Sequence, residues 1–157
     1  MPRRSYKKSV TKSDPIFNSI EVAKLINYIT KDGKKSVAKN IVYSMMDRLQ
    51  KENQDPMKIL TQAIHNVAPN YEVKPRRLGG ASYLVPIEVR RERRLFLALN
   101  WIIQAATAKS NKEFHTFAEK LYTEIVDASK NQGQAVVKKA QTEKLAESNK
   151  AFSHLKW

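Results

Sequence analysis

VAPNYEVKPRRLGGASYLVPIEVRRERR, residues 67–94, is the stretch that decides the fold, because it alone alternates. Tyr71 and Val73, then Tyr83, Val85, Ile87 and Val89, are apolar or aromatic and odd-numbered, with Glu72, Lys74, Arg76, Ser82, Glu88 and Arg90 between them. A period of two is that of a half-buried strand. Gly79-Gly80 supplies the turn, since glycine accepts the positive φ of tight hairpins. A two-residue loop would pair Leu78 with Ala81 and split the apolar residues across both faces. An odd-length loop or a bulge keeps them on one face. The expected register therefore sets Val73 opposite Val89, Glu72 opposite Arg90 and Lys74 opposite Glu88. Pro75 and Pro86 are tolerable because both strands of a ribbon are edges. A lone ribbon is marginal in water, so this one must lean on helices at its base, while its outer half, 74–85, is expected to bury little.

The segments around it read as helix, so the predicted fold is mainly α: six helices, with a protruding two-stranded antiparallel β-ribbon at about 71–90 between the third and fourth. The first helix carries Val22, Leu25, Ile26 and Ile29, with Asn18 and Glu21 at capping-box spacing and Gly33 at its end. A second starts near Lys34–Ser36 and buries Ala38, Ile41, Val42, Met45 and Leu49. Asp55-Pro56 opens the third as N-cap and first residue, and Pro69 stops it. The fourth, from about Arg91 to Lys109, is apolar nearly all round, as the centre of a bundle should be. Ser110 and Glu113 have capping-box spacing before the fifth, with Phe114, Phe117, Ala118, Leu121 and Ile125 on one face. The last runs from Gln134 to about Phe152 on a thin stripe of Val136, Val137, Ala140, Leu145 and Ala146, and Lys138, Lys139 and Lys144 charge its outer side. Residues 1–12 hold Arg3, Arg4, Lys7, Lys8 and Lys12 with no acid, and read as a flexible basic arm before a single domain at 13–157.

Charge points to the partner. Against 15 Asp and Glu stand 29 Lys and Arg, a formal net charge of +14, the balance of a chain that meets nucleic acid or an anionic surface. Six of nine arginines fall in or beside the ribbon: Arg76, Arg77, Arg90, Arg91, Arg93 and Arg94. The guanidinium fork matches phosphate oxygens, which an ammonium does not. Lys34 and Lys35 begin one helix and Arg91, Arg93 and Arg94 another, where cations oppose the helix dipole and a phosphate would compensate. No catalytic team is expected. Cysteine is absent, the three histidines lack metal spacing, and there is no nucleophile elbow, Walker loop or dinucleotide fingerprint. No cofactor, metal or small-molecule substrate is expected, and no run of about 18 apolar residues is present to span a membrane. A DNA-reading helix is a poor alternative, because the fourth helix is too apolar for a major groove. A membrane-surface protein would need a larger apolar side on the last helix.

Several long motifs stand in order: MPRR at the start, DGKKSVAKNIVYS at 32–44, EVKPRRLGGASYLVPIEVRRERR at 72–94, LALNWII at 97–103 and AESNKAFSHLKW at the end. In these the chain resembles the bacterial small-subunit ribosomal protein seven family over essentially its whole length. The resemblance implies a structural, non-enzymatic constituent of the small subunit that binds the 3′ major domain of 16S rRNA and starts assembly of the head. It further implies a cytoplasmic, ribosome-bound protein beside the mRNA exit and E-site tRNA, meeting ribosomal protein eleven of the platform and other head proteins. Carried over by position, rRNA contacts fall on Arg3, Arg4, Lys34, Lys35, Lys74, Arg76, Arg77, Arg90 and Arg94. The same expectation extends to Lys7, Lys8, Arg91 and Arg93. The tip (Leu78, Gly79, Gly80, Ala81) with Lys138 and Lys139 is placed toward tRNA and the mRNA exit. The chain departs from the family pattern at Pro75, where a small hydroxyl residue is usual, and at Arg91, where proline is usual.

Overall fold

A computed structural model describes residues 11–52 and 55–155. It contains α1 (Ile20–Ile29), α2 (Lys35–Lys51), α3 (Pro56–Val67), β1 (Tyr71–Leu78), β2 (Ala81–Glu88), α4 (Arg91–Ala108), α5 (Phe117–Ser129), α6 (Gln134–Ser148) and a 3-10 turn, Lys150–Leu155. The fold class is as expected: six α-helices, with one antiparallel ribbon between α3 and α4. α5 packs on α2, α3, α4 and α6, and α4 on α1, α3, α5 and α6. The centre is thus the α4–α5 pair rather than α4 alone. Leu99, Ile102, Leu121 and Ile125 fill it, with Val42, Met45, Met46 and Leu49 of α2 and Leu60 and Ala63 of α3 closing over them.

Several helix ends differ from expectation. Ser19, not Asn18, caps α1, its Oγ accepting from the amides of Glu21 and Val22 (3.2 and 3.5 Å). Asn18 instead takes the left-handed conformation (φ 48°) that turns the chain into the helix. Gly33 (φ 72°) lies in the turn before α2, since α1 already ends at Ile29 with Thr30 as its cap. Ser110 to Glu113 forms a turn, and α5 begins later, on a capping box of Thr116 and Glu119. Both Ser and Thr stand at the right offset from a Glu, and the box nearer the apolar repeat wins. Asp55 caps α3 as expected, accepting from Met57 and Lys58 amides.

The C-terminal ends of α3, α4 and α5 and the start of α6 are closed by side chains from neighbouring elements, so that capping there is tertiary packing. Asn66 of α3 donates to the carbonyls of Ala128 and Ser129 at the end of α5 (both 2.9 Å). Lys139 of α6 donates to Asn66 O at the end of α3 (3.0 Å). The buried Lys120 donates to Lys109 O just past α4 (2.6 Å). Cations at helix C-termini compensate the negative end of the dipole and stabilise it. At the opposite pole of α6, where Gly133 offers no capping side chain, buried Glu124 of α5 accepts from the Ala135 amide (3.0 Å) and pairs with Lys109 Nζ at 3.2 Å. Asp14, also buried, accepts from the amides of Ile16 and Phe17 (3.1 Å each) and from the Tyr43 hydroxyl (2.8 Å), tying the chain before α1 to α2. Burial, then the Asp14 contact, pushes the Tyr43 phenol above its ordinary pKa.

The ribbon has the register that apolar alternation disfavours. Tyr71 faces Glu88 and Leu78 faces Ala81, around a two-residue Gly79-Gly80 loop with φ of 54° and 89°. Two positive φ values in succession match the strand twist, which favours the tight loop. The prolines decide the rest. Val89 N donates to Asn70 O (3.0 Å), so hydrogen-bonded pairs fall on even positions of β1. Pro75 faces Leu84 and Pro86 faces Val73, both in non-bonded pairs, so neither removes a rung. In the expected register their positions would be adjacent along β1, and one proline would have broken a bond. The apolar residues are split between faces, and the base accommodates this because both faces are covered. Val85 (0 % exposed) and its neighbour Pro86, pointing opposite ways, are both buried. α6 lies on β1 and β2, and the 3-10 turn lies on β2, with the Phe152 ring 5.3 Å from that of Tyr83. The outer half therefore buries more than expected at Tyr83 and Val85.

The last helix corrects another expectation. Of its proposed stripe, only Ala146 is buried, joined by Ala135, whereas Val137 and Leu145 are 48 % and 43 % exposed. It docks through Ala135 and Ala146, through the half-buried Val136 of the expected stripe, which packs on the core, and through Lys139.

Candidate nucleic-acid interface

The ribbon is basic on both faces. Antiparallel pairing puts Lys74 and Arg76 on the side of Tyr83 and Val85, and Arg77 on the side of Ser82 and Leu84. Lys74 and Arg77 are exposed and Arg76 is half-buried. Leu78, Gly79, Gly80 and Ala81 form the exposed tip. Such an arm suits insertion between two sugar-phosphate backbones better than lying flat on one.

At its base four arginines divide by role. Arg93 makes a fork-on-fork pair with the largely buried Glu72: Nε is 3.0 Å from both carboxylate oxygens and Nη2 is 3.0 Å from Oε2. Its guanidinium also lies 5.8 Å from the Phe96 ring centre. Arg93 thereby bolts β1 to the first turn of α4. Arg90, the N-cap of α4, caps with no side chain, and Arg91 follows as its first residue, both exposed. Arg94 is half-buried, and its Nε is enclosed without a hydrogen-bond acceptor. An unsatisfied charged donor is costly. Replacing Glu72 by alanine should free Arg93, loosen the ribbon base and lower stability by about 1–2 kcal/mol, after allowing for the exposure of Arg93. Thermal melting measures this, and accelerated amide exchange confined to 71–88 would locate it.

A second basic surface opens at the start of α2. Lys34 is the N-cap, without a capping side chain, and Lys35 is the first residue. In sequence they look like one phosphate clamp, but adjacent helical positions point about 100° apart, and they line different depressions. Lys35 lines a cleft of about 420 Å³ with Thr11, Lys12, Ser13, Asn27 and Lys39. Lys34 lines an apolar groove on another side. Lys12, Lys39 and Lys31 join the site residues only through the fold. A cue exists in the sequence, since Lys35 and Lys39 stand four apart on one helical face, where like charges repel unless an anion intervenes. Tyr28 near the end of α1, on the wall of the Lys34 groove, meets Phe96 of α4 edge-on at 5.4 Å, beside Arg93.

Other expected site residues are committed elsewhere or lie outside the described residues. Lys139 caps α3, as described, and Lys138 donates to Gln104 Oε1 at 2.7 Å. Arg3, Arg4, Lys7 and Lys8 lie outside the described residues. No helix among the described residues is long and apolar enough to cross a membrane.

Comparison with known proteins gives a family for this geometry. A profile of ribosomal protein S7p/S5e matches residues 1–150. The small ribosomal subunit protein uS7 of Acetivibrio thermocellus is 49 % identical, with both chains covered in full. The proteins of that name from Caldanaerobacter subterraneus and Thermotoga maritima are each 47 % identical, again over the full length of both chains.

Proposed function

The chain belongs to the ribosomal protein S7p/S5e family, a structural, non-enzymatic constituent of the small ribosomal subunit, and we propose that it holds the 3′ major domain of 16S rRNA. In this reading the ribbon cations Lys74, Arg76 and Arg77, with Arg90, Arg91 and Arg94 at the head of α4, grip one set of backbones. The α2 cleft, with Lys12, Lys35 and Lys39, grips another. Arg3, Arg4, Lys7 and Lys8 extend the contact from a basic arm at 1–12, ahead of a single domain at 13–157. By bridging separate helices of the RNA, the protein starts assembly of the subunit head.

The observation that carries this is the ribbon with cations on both faces and a base bolted to α4. Duplex RNA hides its major groove, so recognition by backbone geometry and shape is what such a surface can achieve. The ring pairs Tyr28–Phe96 and Tyr83–Phe152 pack on each other, and only Tyr71 of the ribbon is half exposed, which leaves phosphate contact rather than base stacking as the main source of affinity. The exposed tip, Leu78 to Ala81, reaches toward the mRNA exit and E-site tRNA. Ribosomal protein eleven of the platform is its protein neighbour, and the protein works in the cytoplasm as part of the ribosome.

Binding should be steeply salt-dependent. If about six phosphates are neutralised, log K falls against log salt with a slope of roughly −5. Titration of rRNA fragments, duplex DNA and anionic vesicles in parallel checks this. A slope near zero, or equal affinity for all three, would reduce the charge to a solubilising role.

A further inference from the structure

Beside Lys34 lies a groove of about 270 Å³ lined by Tyr28 and Ile29 of α1, Val37, Ala38 and Ile41 of α2, Ile103 and Thr107 of α4, and Phe117 of α5, with Lys31 and Lys34. We propose that this groove docks a short segment of a neighbouring protein that presents a large apolar side chain flanked by carboxylates. Val37 is 53 % exposed and Tyr28 36 %, and both sit on the wall, so the apolar surface is offered to solvent. Its size falls below the roughly 300–1,000 Å³ of small-molecule sites, which suits one or two side chains of a larger partner.

Chemistry separates the two macromolecules that could fill it. A nucleobase brings polar edges that must find partners when buried. Of the two neutral polar side chains of the lining, Thr107 already donates its hydroxyl to Ile103 O (2.8 Å), which leaves the Tyr28 phenol as the one uncharged side-chain donor for such edges. An aliphatic or aromatic side chain has no such demand. The charges of the lining are Lys31 and Lys34 and no carboxylate, Asp32 of the same turn standing outside it. An apolar anchor with acidic flanks complements both features, the mode in which a helix or short segment seats its apolar face in a groove. Lys34 would then serve this partner, while Lys35 faces the polar cleft.

The test is selection from a random twelve-residue phage-displayed library on the full-length chain, with heparin present to suppress unspecific charge attraction. The expected result is an enriched family with one large apolar residue and acidic neighbours. A synthetic peptide of that family should lose at least tenfold in affinity to Val37→Asp and to Lys31→Glu, both exposed positions, and keep its affinity for Lys35→Gln/Lys39→Gln. Amide shifts on peptide binding should centre on Val37, Ile103 and Thr107. Failure to enrich any family over the Val37→Asp chain would overturn the proposal. So would peptides indifferent to both groove variants, or an rRNA-fragment affinity that falls tenfold on Val37→Asp, which would make the groove a nucleotide site.

Discussion

Changing Lys74, Arg76 and Arg77 together to glutamine is expected to weaken rRNA binding by about two orders of magnitude, at roughly 1 kcal/mol for each cation withdrawn from a phosphate and 1.4 kcal/mol per tenfold. Stability should move little. Lys74 and Arg77 are exposed, the Lys74–Glu72 approach of 3.9 Å is long, and the half-buried Arg76 is the one of the three whose lost contact should show in the melt. Substitution is the right perturbation because excision of 74–85 would also remove Val85, which is fully buried, and Tyr83, which packs on Phe152. The check is a pair of measurements on one variant: equilibrium titration of an rRNA fragment, and a thermal melt that stays within a few degrees of the parent. Arg93 is the contrast. Its loss should register in the melt first, because it holds Glu72.

Glu124→Ala is the substitution expected to damage the fold most. It would take away the acceptor of the Ala135 amide at the start of α6 and one of two carboxylates around Lys109, whose Nζ would keep Asp127 at 3.4 Å. Breaking a buried pair costs about 3–5 kcal/mol. With Asp127 in reserve, about 3 kcal/mol is expected, a fall in melting temperature of roughly 6–12 °C for a domain of this size. Glu124→Gln should cost less, since its amide oxygen can still accept from Ala135. Gly133→Ala tests the same joint from the other side. Gly133 has φ of 92°, and a Cβ there would lie 2.9 Å from Glu124 Oε1 and 3.2 Å from Asp127 Cβ. That should cost about 1–3 kcal/mol. If Glu124→Ala melts like the parent, the α5–α6 joint contributes nothing and α6 is held by its alanines, Val136 and Lys139.

The fold is legible where local chemistry and tertiary packing agree. Asp55-Pro56, the alternation after Pro69 and the apolar run of α4 each mark their element in the sequence. It misleads where two candidates stand close, as with Asn18 beside Ser19, or Ser110 ahead of Thr116. The register misleads because apolar alternation assumes one solvated face, whereas α6 and the 3-10 turn help cover the base of this ribbon. The parity of Pro75 and Pro86 holds the answer, since only a register that keeps both off the rungs preserves the ladder. Cross-element caps such as Glu124 on α6 and Asn66 on α5 join residues distant in sequence, so no local pattern could announce them. In the candidate interface, arginine content marks the ribbon as the basic element. It cannot tell Arg93, spent on Glu72, from Arg90 and Arg91, or show that Lys34 and Lys35 part company.

Hydroxyl-radical footprinting of intact 16S rRNA, with the parent chain and with the Lys74/Arg76/Arg77→Gln variant, tests most directly whether the arginine ribbon holds this RNA. The account predicts protections confined to the 3′ major domain, one cluster of which disappears in the variant while those from the α2 cleft persist at saturating protein. Protections outside that domain, or a footprint that the variant leaves unchanged, would contradict it.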